Sequence, residues 1–310
     1  MRIGVVFPQT EFGADRAAVR DFAQAAEELG YDHILAFDHV IGAGLKTRPD
    51  WQNPYSENDT YHEIMVLFGF IAGCTEKIEM ASGVLILPQR QTALVAKQAA
   101  AIDVLSGGDR LRLGVGLGWN DVEYEVLNED FTNRGKRVEE QIEVLRELFK
   151  EQAINYQGKW HTINDAGIKP LPYRRALPIW IGAFTEVAIK RAARLADGWF
   201  PLGDALDGSG EASMALMTAA LEAEGRDPST FGTEGFVMRG DGNIALGSNQ
   251  GRVCEARTPD DWARDVEAWE KLGATHISFN TMNGGCKTER DHIEALRGFM
   301  EAIGGAAKAV

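Results

Sequence analysis

Two adjacent polar residues, Asp38 and His39, directly follow a short apolar segment at residues 33–37. Histidine changes charge nearest neutral pH, so it can transfer a proton or donate to a bound heteroatom. A neighbouring carboxylate can bias the charge of the imidazole. The pair is therefore a candidate acid–base group. Its position is equally consistent with a hydrogen-bonded, partly buried histidine beside a helix-capping aspartate.

Two glycine-containing segments could admit a flat ligand. Gly114, Gly116 and Gly118 have the spacing GxGxG, which differs from the GxGxxG of dinucleotide folds and from the GxxxxGK phosphate loop. Glycines after a strand allow close backbone approach, although a tight turn would explain them too. Gly83 lies inside the apolar run 81–88, where a glycine indicates either a bulge or a packing accommodation.

Strand-like and helix-like segments alternate along the chain and position these residues. We count eight βα units, with the seventh strand expected within residues 236–246. Eight units in 310 residues favour an α/β fold of the (β/α)8 TIM-barrel class, formed as a single domain over residues 1–310. Residues 42–60 and 151–177 interrupt the pattern and predict two insertions, a long loop and a hairpin.

A barrel places function at the carboxyl ends of its strands. That rule groups Asp38 and His39 with the Gly114–Gly118 segment and with Gly182–Thr185, which follows the fifth predicted strand. His62–Glu63 lacks the second histidine of HExxH, and the three cysteines show no CxxC spacing. We therefore expect no metal. A metal-dependent barrel hydrolase would need histidines and carboxylates clustered at several strand ends.

The charge and the apolar content of the chain limit the kinds of partner that we expect it to bind. The chain has 32 Lys and Arg against 46 Asp and Glu, a net charge of −14, and no basic cluster, which disfavours nucleic acid. No apolar run reaches the length of a membrane span, and the N-terminal residues lack the pattern of a secretory signal. We expect a cytoplasmic protein that acts on a small organic molecule. A homodimer is left open.

Ordered motifs in the chain resemble a known family. The motifs are IGVVFP at 3–8, AEELGYDHILAFDH at 26–39, ASGVLILP at 81–88, RLRLGVGLGWNDVEYE at 110–125, LPIWIGAFTEVAIKRAARLADGWFP at 177–201 and LGATHISFN at 272–280. The chain resembles the bacterial luciferase-like monooxygenase superfamily over roughly residues 1–300. Within that superfamily it is similar to single-chain oxidoreductases that often use the deazaflavin coenzyme F420.

The resemblance implies a barrel that holds a flavin or deazaflavin ring at its carboxyl-terminal mouth. It implies a non-proline cis peptide at Gly83–Val84, with Leu85 beside it, as the support for the ring. It implies that Gly114, Gly116 and Gly118 line one edge of the ring. The N–H groups of Gly182, Ala183, Phe184 and Thr185 would hold the cofactor phosphate.

The resemblance also implies catalytic roles. His39 would act as general acid or base, or as donor to the intermediate, and Asp38 would orient the cofactor or tune His39. Glu123 would anchor the pocket edge or only cap the following segment. Trp119 stands where some relatives carry glutamate, which disfavours a sugar-phosphate dehydrogenase and favours a more apolar substrate.

Three functions follow from the resemblance. The favoured function is hydride transfer between reduced F420 and a small organic substrate. The alternative is an FMNH2-dependent monooxygenase that inserts one oxygen atom from O2. A non-catalytic flavin-binding barrel is a further alternative.

Overall fold

A computed structural model of the chain describes residues 1–201, 205–240 and 257–304. The strands are β1 (Arg2–Val6), β2 (His33–Ala36), β3 (Glu79–Ser82), β4 (Leu85–Ile86), β5 (Leu111–Gly116), β6 (Ile154–Gln157), β7 (Thr162–Ala166), β8 (Ile179–Gly182), β9 (Gly198–Phe200), β10 (Gly232–Met238) and β11 (His276–Asn280). Parallel pairing runs in the order β3, β2, β1, β11, β10, β9, β8, β5, β4. Because β3 also pairs with β5, the sheet closes, and the predicted (β/α)8 barrel is confirmed. Strands β3 and β4 are two halves of one barrel position.

Helices cover the outside of this barrel. They are α1 (Gln9–Phe12), α2 (Arg16–Glu28), α3 (Ile64–Cys74), α4 (Thr92–Leu105), α5 (Asp121–Val126), α6 (Arg134–Lys150), α7 (Glu186–Leu195), α8 (Ser209–Ala223), α9 (Pro259–Lys271) and α10 (Glu289–Ile303). Local chemistry fixes several helix starts. The Asp15 side chain accepts from the first turn of α2, and Thr258 and Thr288 form capping boxes at α9 and α10.

The seventh barrel strand differs from its prediction. β10 begins at Gly232 instead of Phe236 and ends at Met238, while residues 241–246 of the predicted segment lie outside the described residues. Residues 232–235 include two glycines and the charged Glu234, so the sequence shows no apolar run there. In the structure Glu234 is fully buried, because it pairs with a cation inside the barrel.

The amino-terminal half of the barrel interior is a buried polar network. Arg112 Nη1 donates to Glu234 Oε2 at 2.5 Å, and Arg112 Nε donates to Glu79 Oε1 at 2.7 Å. His33 Nε2 lies 2.7 Å from Glu234 Oε1, which also accepts from the Ser278 hydroxyl. Burial alone would raise the pKa of the Glu234 carboxyl, but Arg112 and His33 hold it well below its usual range.

Apolar side chains fill the barrel above this network. The cluster consists of Val6, Leu35, Ala81, Trp180, Phe200 and Met282. A larger apolar cluster lies between the strands and the helices. Because these side chains fill the barrel centre, we expect a ligand at the carboxyl-terminal mouth, where barrel sites lie.

The two predicted insertions contribute to the mouth and to one side of the barrel. Residues 42–60 are all described and contain neither helix nor strand. Within residues 151–177, β6 and β7 pair in antiparallel fashion as the expected hairpin. Glu140 on α6 accepts from the backbone N–H groups of Lys159, Trp160 and His161, which fixes the hairpin turn against the barrel.

Candidate functional site

The barrel brings the sequence-predicted site residues to one face. Strand pairing places Ala36 beside Ser82, so Asp38 and His39 follow β2 next to the gap between β3 and β4. Ile86 pairs with Gly116, and Val115 pairs with Ile181. The ends of β2, β4, β5 and β8 are therefore neighbours around the mouth.

Asp38 is buried, and both of its carboxylate oxygens are engaged. Oδ1 accepts from Arg90 Nη2 at 2.6 Å, and Oδ2 accepts from the backbone N–H of Ile86 at 3.0 Å. Arg90 continues the network, since its Nη1 donates to Glu63 Oε1 at 3.0 Å. Burial would lower the pKa of the Arg90 guanidinium, but Asp38 and Glu63 raise it. The carboxylate thus connects the backbone of β4 with the Arg90 guanidinium.

His39 is paired with a second buried carboxylate. Its Nδ1 lies 3.2 Å from Glu123 Oε1, which also accepts from the backbone N–H of Val40 at 2.8 Å. Glu123 Oε2 accepts from Gln89 Nε2 at 3.1 Å. Burial acts to raise the pKa of the Glu123 carboxyl. Its interactions with His39, Gln89 and Val40 lower the pKa by more than burial raises it, so the carboxylate form is favoured.

This arrangement leaves one nitrogen of His39 available. A carboxylate can only accept, so Nδ1 carries the proton of the neutral imidazole and Nε2 carries the lone pair. Among the described residues no hydrogen bond is made by Nε2 of His39. The geometry is that of a histidine oriented by a carboxylate, which can accept a proton at its second nitrogen.

Aromatic rings surround the imidazole of His39. Ring centroids lie 4.5 Å away for Tyr55, 4.8 Å for Tyr61 and 5.6 Å for Trp119. Trp51 Nε1 donates to the Tyr55 carbonyl at 2.8 Å, which fixes the loop that carries Tyr55. The inserted segment 42–60 therefore builds one wall of the site.

The predicted interruption of the third strand is present. The Gly83–Val84 peptide is cis, in agreement with the expectation from the resemblance. Ser82 and Leu85 on either side are buried, whereas Gly83 and Val84 are partly exposed toward solvent. This short stretch of backbone is thus accessible between two buried strand halves.

Two of the candidate glycines make room for Val84. A Cβ at Gly116 would overlap Val84 Cγ2, and a Cβ at Gly182 would lie 3.2 Å from Val84 Cγ1. A Cβ at Gly114 would overlap the Ser82 carbonyl oxygen. Gly118 has a φ of +68°, which favours glycine for conformational reasons. The Val84 side chain therefore occupies the space next to Gly116 and Gly182, where the sequence suggested a ligand.

The amino terminus of α7 lies beside Gly182. The Thr185 hydroxyl caps the helix by accepting from Ala188 N–H at 3.3 Å. Ala183 N–H donates to the Phe200 carbonyl. Among the described residues, no acceptor is found for the N–H groups of Phe184 and Thr185. Glu186 turns along the helix to Lys190 Nζ, 2.6 Å away.

Several site residues were not found from the sequence. Arg90 lies on the connection between β4 and α4, and it meets Asp38 only through the fold. Glu11 on α1 accepts from Asn283 N–H at 2.8 Å, and burial raises the pKa of its carboxyl. Tyr55 lies within the inserted segment 42–60, and Tyr61 directly follows it. The available signal was that aromatic residues stand in and next to an insertion that follows the candidate histidine.

Two features are absent from the described residues. These residues contain no group of three or more His, Cys, Asp or Glu side chains arranged to hold a metal ion. They also contain no helix with the length and apolar character needed to cross a membrane.

Comparisons with known proteins identify relatives. A sequence profile of the family described as luciferase-like monooxygenase matches residues 1–282. An uncharacterised protein of Mycobacterium tuberculosis is 33% identical over 182 residues, which cover 57% of this chain and 62% of that protein. The FMNH2-dependent dimethylsulfone monooxygenase of Pseudomonas putida is 28% identical, over 72% of this chain and 58% of that protein.

A further relative is the F420-dependent hydroxymycolic acid dehydrogenase of Mycobacterium tuberculosis. It is 28% identical over 78% of this chain and 64% of that protein. The chain therefore spans somewhat less than two thirds of the length of these curated relatives. The crystal structure of monooxygenase RslO1 from Streptomyces bottropensis has the same fold, with a TM-score of 0.78 and 18% identity over 98% of this chain and 99% of that one.

Proposed function

The chain belongs to the luciferase-like monooxygenase family, and we propose that it is an oxidoreductase that binds F420 at the barrel mouth. The proposed reaction is hydride transfer between this deazaflavin and a small organic substrate. The observation that carries the proposal is the Glu123–His39 pair beside the accessible Gly83–Val84 backbone. It combines a proton-transfer group with a flat support for a ring.

The residues at the mouth fit a flat tricyclic ring. Gly83 and Val84 expose backbone and one branched side chain between buried neighbours. The close packing of Val84 against Gly116 and Gly182 keeps that support rigid. Asp38 acts as a positioning residue, because it ties β4 to Arg90 directly beyond this support.

The end of α7 fits the phosphate of the cofactor. Helix N-termini bind phosphates through free N–H groups and the positive end of the helix dipole. The N–H groups of Phe184 and Thr185 are the donors we assign to it, with Gly182 and Ala183 as the turn that presents them. The exposed Glu186–Lys190 pair places the glutamate charge on the outer face of the helix.

His39 is the proposed acid–base residue. With Nδ1–H held by Glu123, His39 Nε2 can accept the hydroxyl proton of an alcohol substrate, or return it to a carbonyl oxygen in the reverse direction. Bound F420 would supply hydride exchange, whereas bound reduced FMN would supply oxygen activation. Val40, Ile41 and Trp119 are exposed apolar residues around the histidine and favour an apolar substrate.

The FMNH2-dependent monooxygenase remains the second candidate, supported by the similarity to the dimethylsulfone monooxygenase. The test is titration of the purified protein with F420 and, separately, with FMN. We expect F420 fluorescence to be quenched at lower concentration than FMN fluorescence. Tighter binding of FMN would favour oxygenation, and binding without turnover of any alcohol or carbonyl compound would favour the non-catalytic barrel. Failure of both cofactors to bind would refute the proposal.

We also propose that two copies pair through α3 and α4. Val66 on α3 and Leu94 and Leu105 on α4 are 68%, 52% and 82% exposed. Apolar side chains on the outer faces of neighbouring helices are typical of a buried surface. Light scattering after gel filtration measures the mass. A monomer at micromolar concentration would contradict the pairing.

A further inference from the structure

The inserted segment forms a small cavity next to the proposed proton-transfer site. We call it the tyrosine pocket, and its volume is about 60 Å³. Its lining includes His39, Tyr55, Ser56, Asp59 and Tyr61. The cofactor support at Gly83–Val84 is not part of this lining, so the pocket offers room for a different chemical group.

The rings of Tyr55 and Tyr61 and the imidazole of His39 form walls of the tyrosine pocket. The rings of Tyr55 and Tyr61 meet edge to face at 4.8 Å, and both contact the imidazole of His39. Trp119 stacks beyond Tyr55, with centroids 6.4 Å apart. Aromatic faces carry partial negative charge, so a group of such rings attracts a cation rather than an anion.

Asp59 is the acidic residue in the lining of the pocket. Asp59 Oδ2 accepts from the backbone N–H and the hydroxyl of Ser56, at 2.8 and 3.1 Å. Asp59 Oδ1 makes no hydrogen bond among the described residues. Among the described residues, no lysine or arginine lines the pocket. Asp59 can therefore present one oxygen and its negative charge to a bound cation without losing its structural contacts.

The tyrosine hydroxyls add neutral polar groups. Burial, together with the charges of Asp59 and Glu11, raises the pKa of Tyr55 to about 12, so its phenol stays protonated. The Tyr61 hydroxyl is buried and interacts with the hydroxyl of Tyr55. Both hydroxyls are therefore neutral polar groups in the pocket lining.

We propose that the tyrosine pocket binds the ammonium group of a small organic cation. Aromatic rings grouped with one carboxylate favour the binding of an ammonium group. The net charge of −14 favours the approach of such a molecule. We extend this inference to the substrate of the proposed reaction, which would carry the ammonium group at one end and the reacting carbon near His39; this extension rests on the proposed function.

The test compares choline with its neutral isostere 3,3-dimethylbutan-1-ol, in which carbon replaces the charged nitrogen. Binding to the purified chain is measured by calorimetry and by the fluorescence of Trp51 and Trp119, which lie 6.2 Å apart beside the pocket. We expect choline to bind at least tenfold more tightly than the isostere. Equal affinities, or no binding of choline at millimolar concentration, would overturn the inference.

Substitutions in the inserted segment test whether choline binds in the tyrosine pocket. Asp59→Asn removes the charge but keeps the size, and we expect at least a tenfold loss of choline affinity. Asp50→Asn is the matched control, since Asp50 is an exposed aspartate in the same inserted segment, and we expect less than a twofold change. Tyr55→Leu should weaken choline binding several-fold while Tyr55→Phe retains it. Equal effects of Asp59→Asn and Asp50→Asn would assign the binding to overall charge and refute the pocket.

These measurements need no cofactor, so they distinguish failure of the ammonium subsite from failure of the proposed oxidoreductase function. Cofactor binding without choline binding would refute the ammonium subsite and leave the proposed oxidoreductase intact. Choline binding without binding of F420 or FMN would support the subsite and refute the proposed function. If both bind, turnover of amino alcohols in preference to neutral alcohols of the same carbon skeleton would support the extension to the substrate, and the opposite preference would overturn it.

Discussion

Replacement of Glu123 by glutamine tests whether this residue positions His39 or only caps the following segment. The variant keeps the shape of the side chain and one carbonyl oxygen, so Val40 N–H retains an acceptor. Gln89 can also adapt, because its buried Oε1 has no partner and can accept from the new amide after a flip of the Gln89 side chain. The principal loss is the negative charge beside His39 Nδ1.

The size of the effect follows from that one interaction. A hydrogen bond to a charged group contributes about 1.5–3 kcal/mol. If the Glu123–His39 bond strengthens as His39 takes a proton, most of this energy is lost in the transition state. We therefore expect Glu123→Gln to lower kcat by about 10- to 150-fold, with a much smaller change in KM. Thermal unfolding should change little, since the backbone contacts persist.

The assay follows the absorbance of F420, or of the cofactor that the titration selects, with a panel of small alcohols and ketones. A double-mutant cycle with His39→Ala gives the decisive comparison. In the His39→Ala background we expect Glu123→Gln to alter kcat by less than about threefold, because its target is gone. Glu125→Gln, an exposed change on the same helix, is the control. A kcat for Glu123→Gln within twofold of the wild type would refute the positioning role and leave a capping role.

Three further changes test other parts of the structure. His39→Ala should lower kcat by about 10²- to 10⁴-fold while cofactor binding persists, and unchanged turnover would remove His39 from the mechanism. Gly182→Val should weaken cofactor binding in a fluorescence titration, because its Cβ would press on Val84 at 3.2 Å; undiminished affinity would place the phosphate elsewhere. Glu234→Gln should lower the free energy of unfolding at neutral pH by about 3 kcal/mol, because it leaves Arg112 buried without full compensation. The folded-state pKa of Glu234 is lowered, so its contribution is present above about pH 4.5 and is lost as the pH falls; urea unfolding of the variant should show a smaller loss of stability with acid than the wild type.

The fold was predictable because its signal is local. Apolar runs of strand length alternate with amphipathic helices, as in β11 (His276–Asn280), α7 (Glu186–Leu195) and α10 (Glu289–Ile303). The rule that barrel sites lie at strand ends then placed Asp38 and His39 near the glycine segments. Neither step required knowledge of contacts between distant residues.

The chemistry of the site was less predictable because it depends on such contacts. Asp38 and Arg90 are 52 positions apart, and His39 and Glu123 are 84 apart. Periodicity carries no information about these pairs. The same limit explains Glu234, which is polar in sequence but buried, since its partner Arg112 comes from a distant strand. Sequence reasoning therefore found the histidine but left open whether Glu123 supports it.

The glycines show how a correct position can lead to an incomplete explanation. The sequence suggested that Gly116 and Gly182 admit a ligand, but the space above both is filled by Val84. Their effect on a cofactor would then pass through the Val84 side chain. If so, Val84→Ala should restore cofactor affinity to Gly182→Val, because the smaller residue vacates the space that the new Cβ needs. If Gly182 contacts the phosphate directly, Val84→Ala would leave the affinity of Gly182→Val low. The difference in cofactor affinity between the single and the double variant thus separates a shared packing unit from a direct phosphate contact.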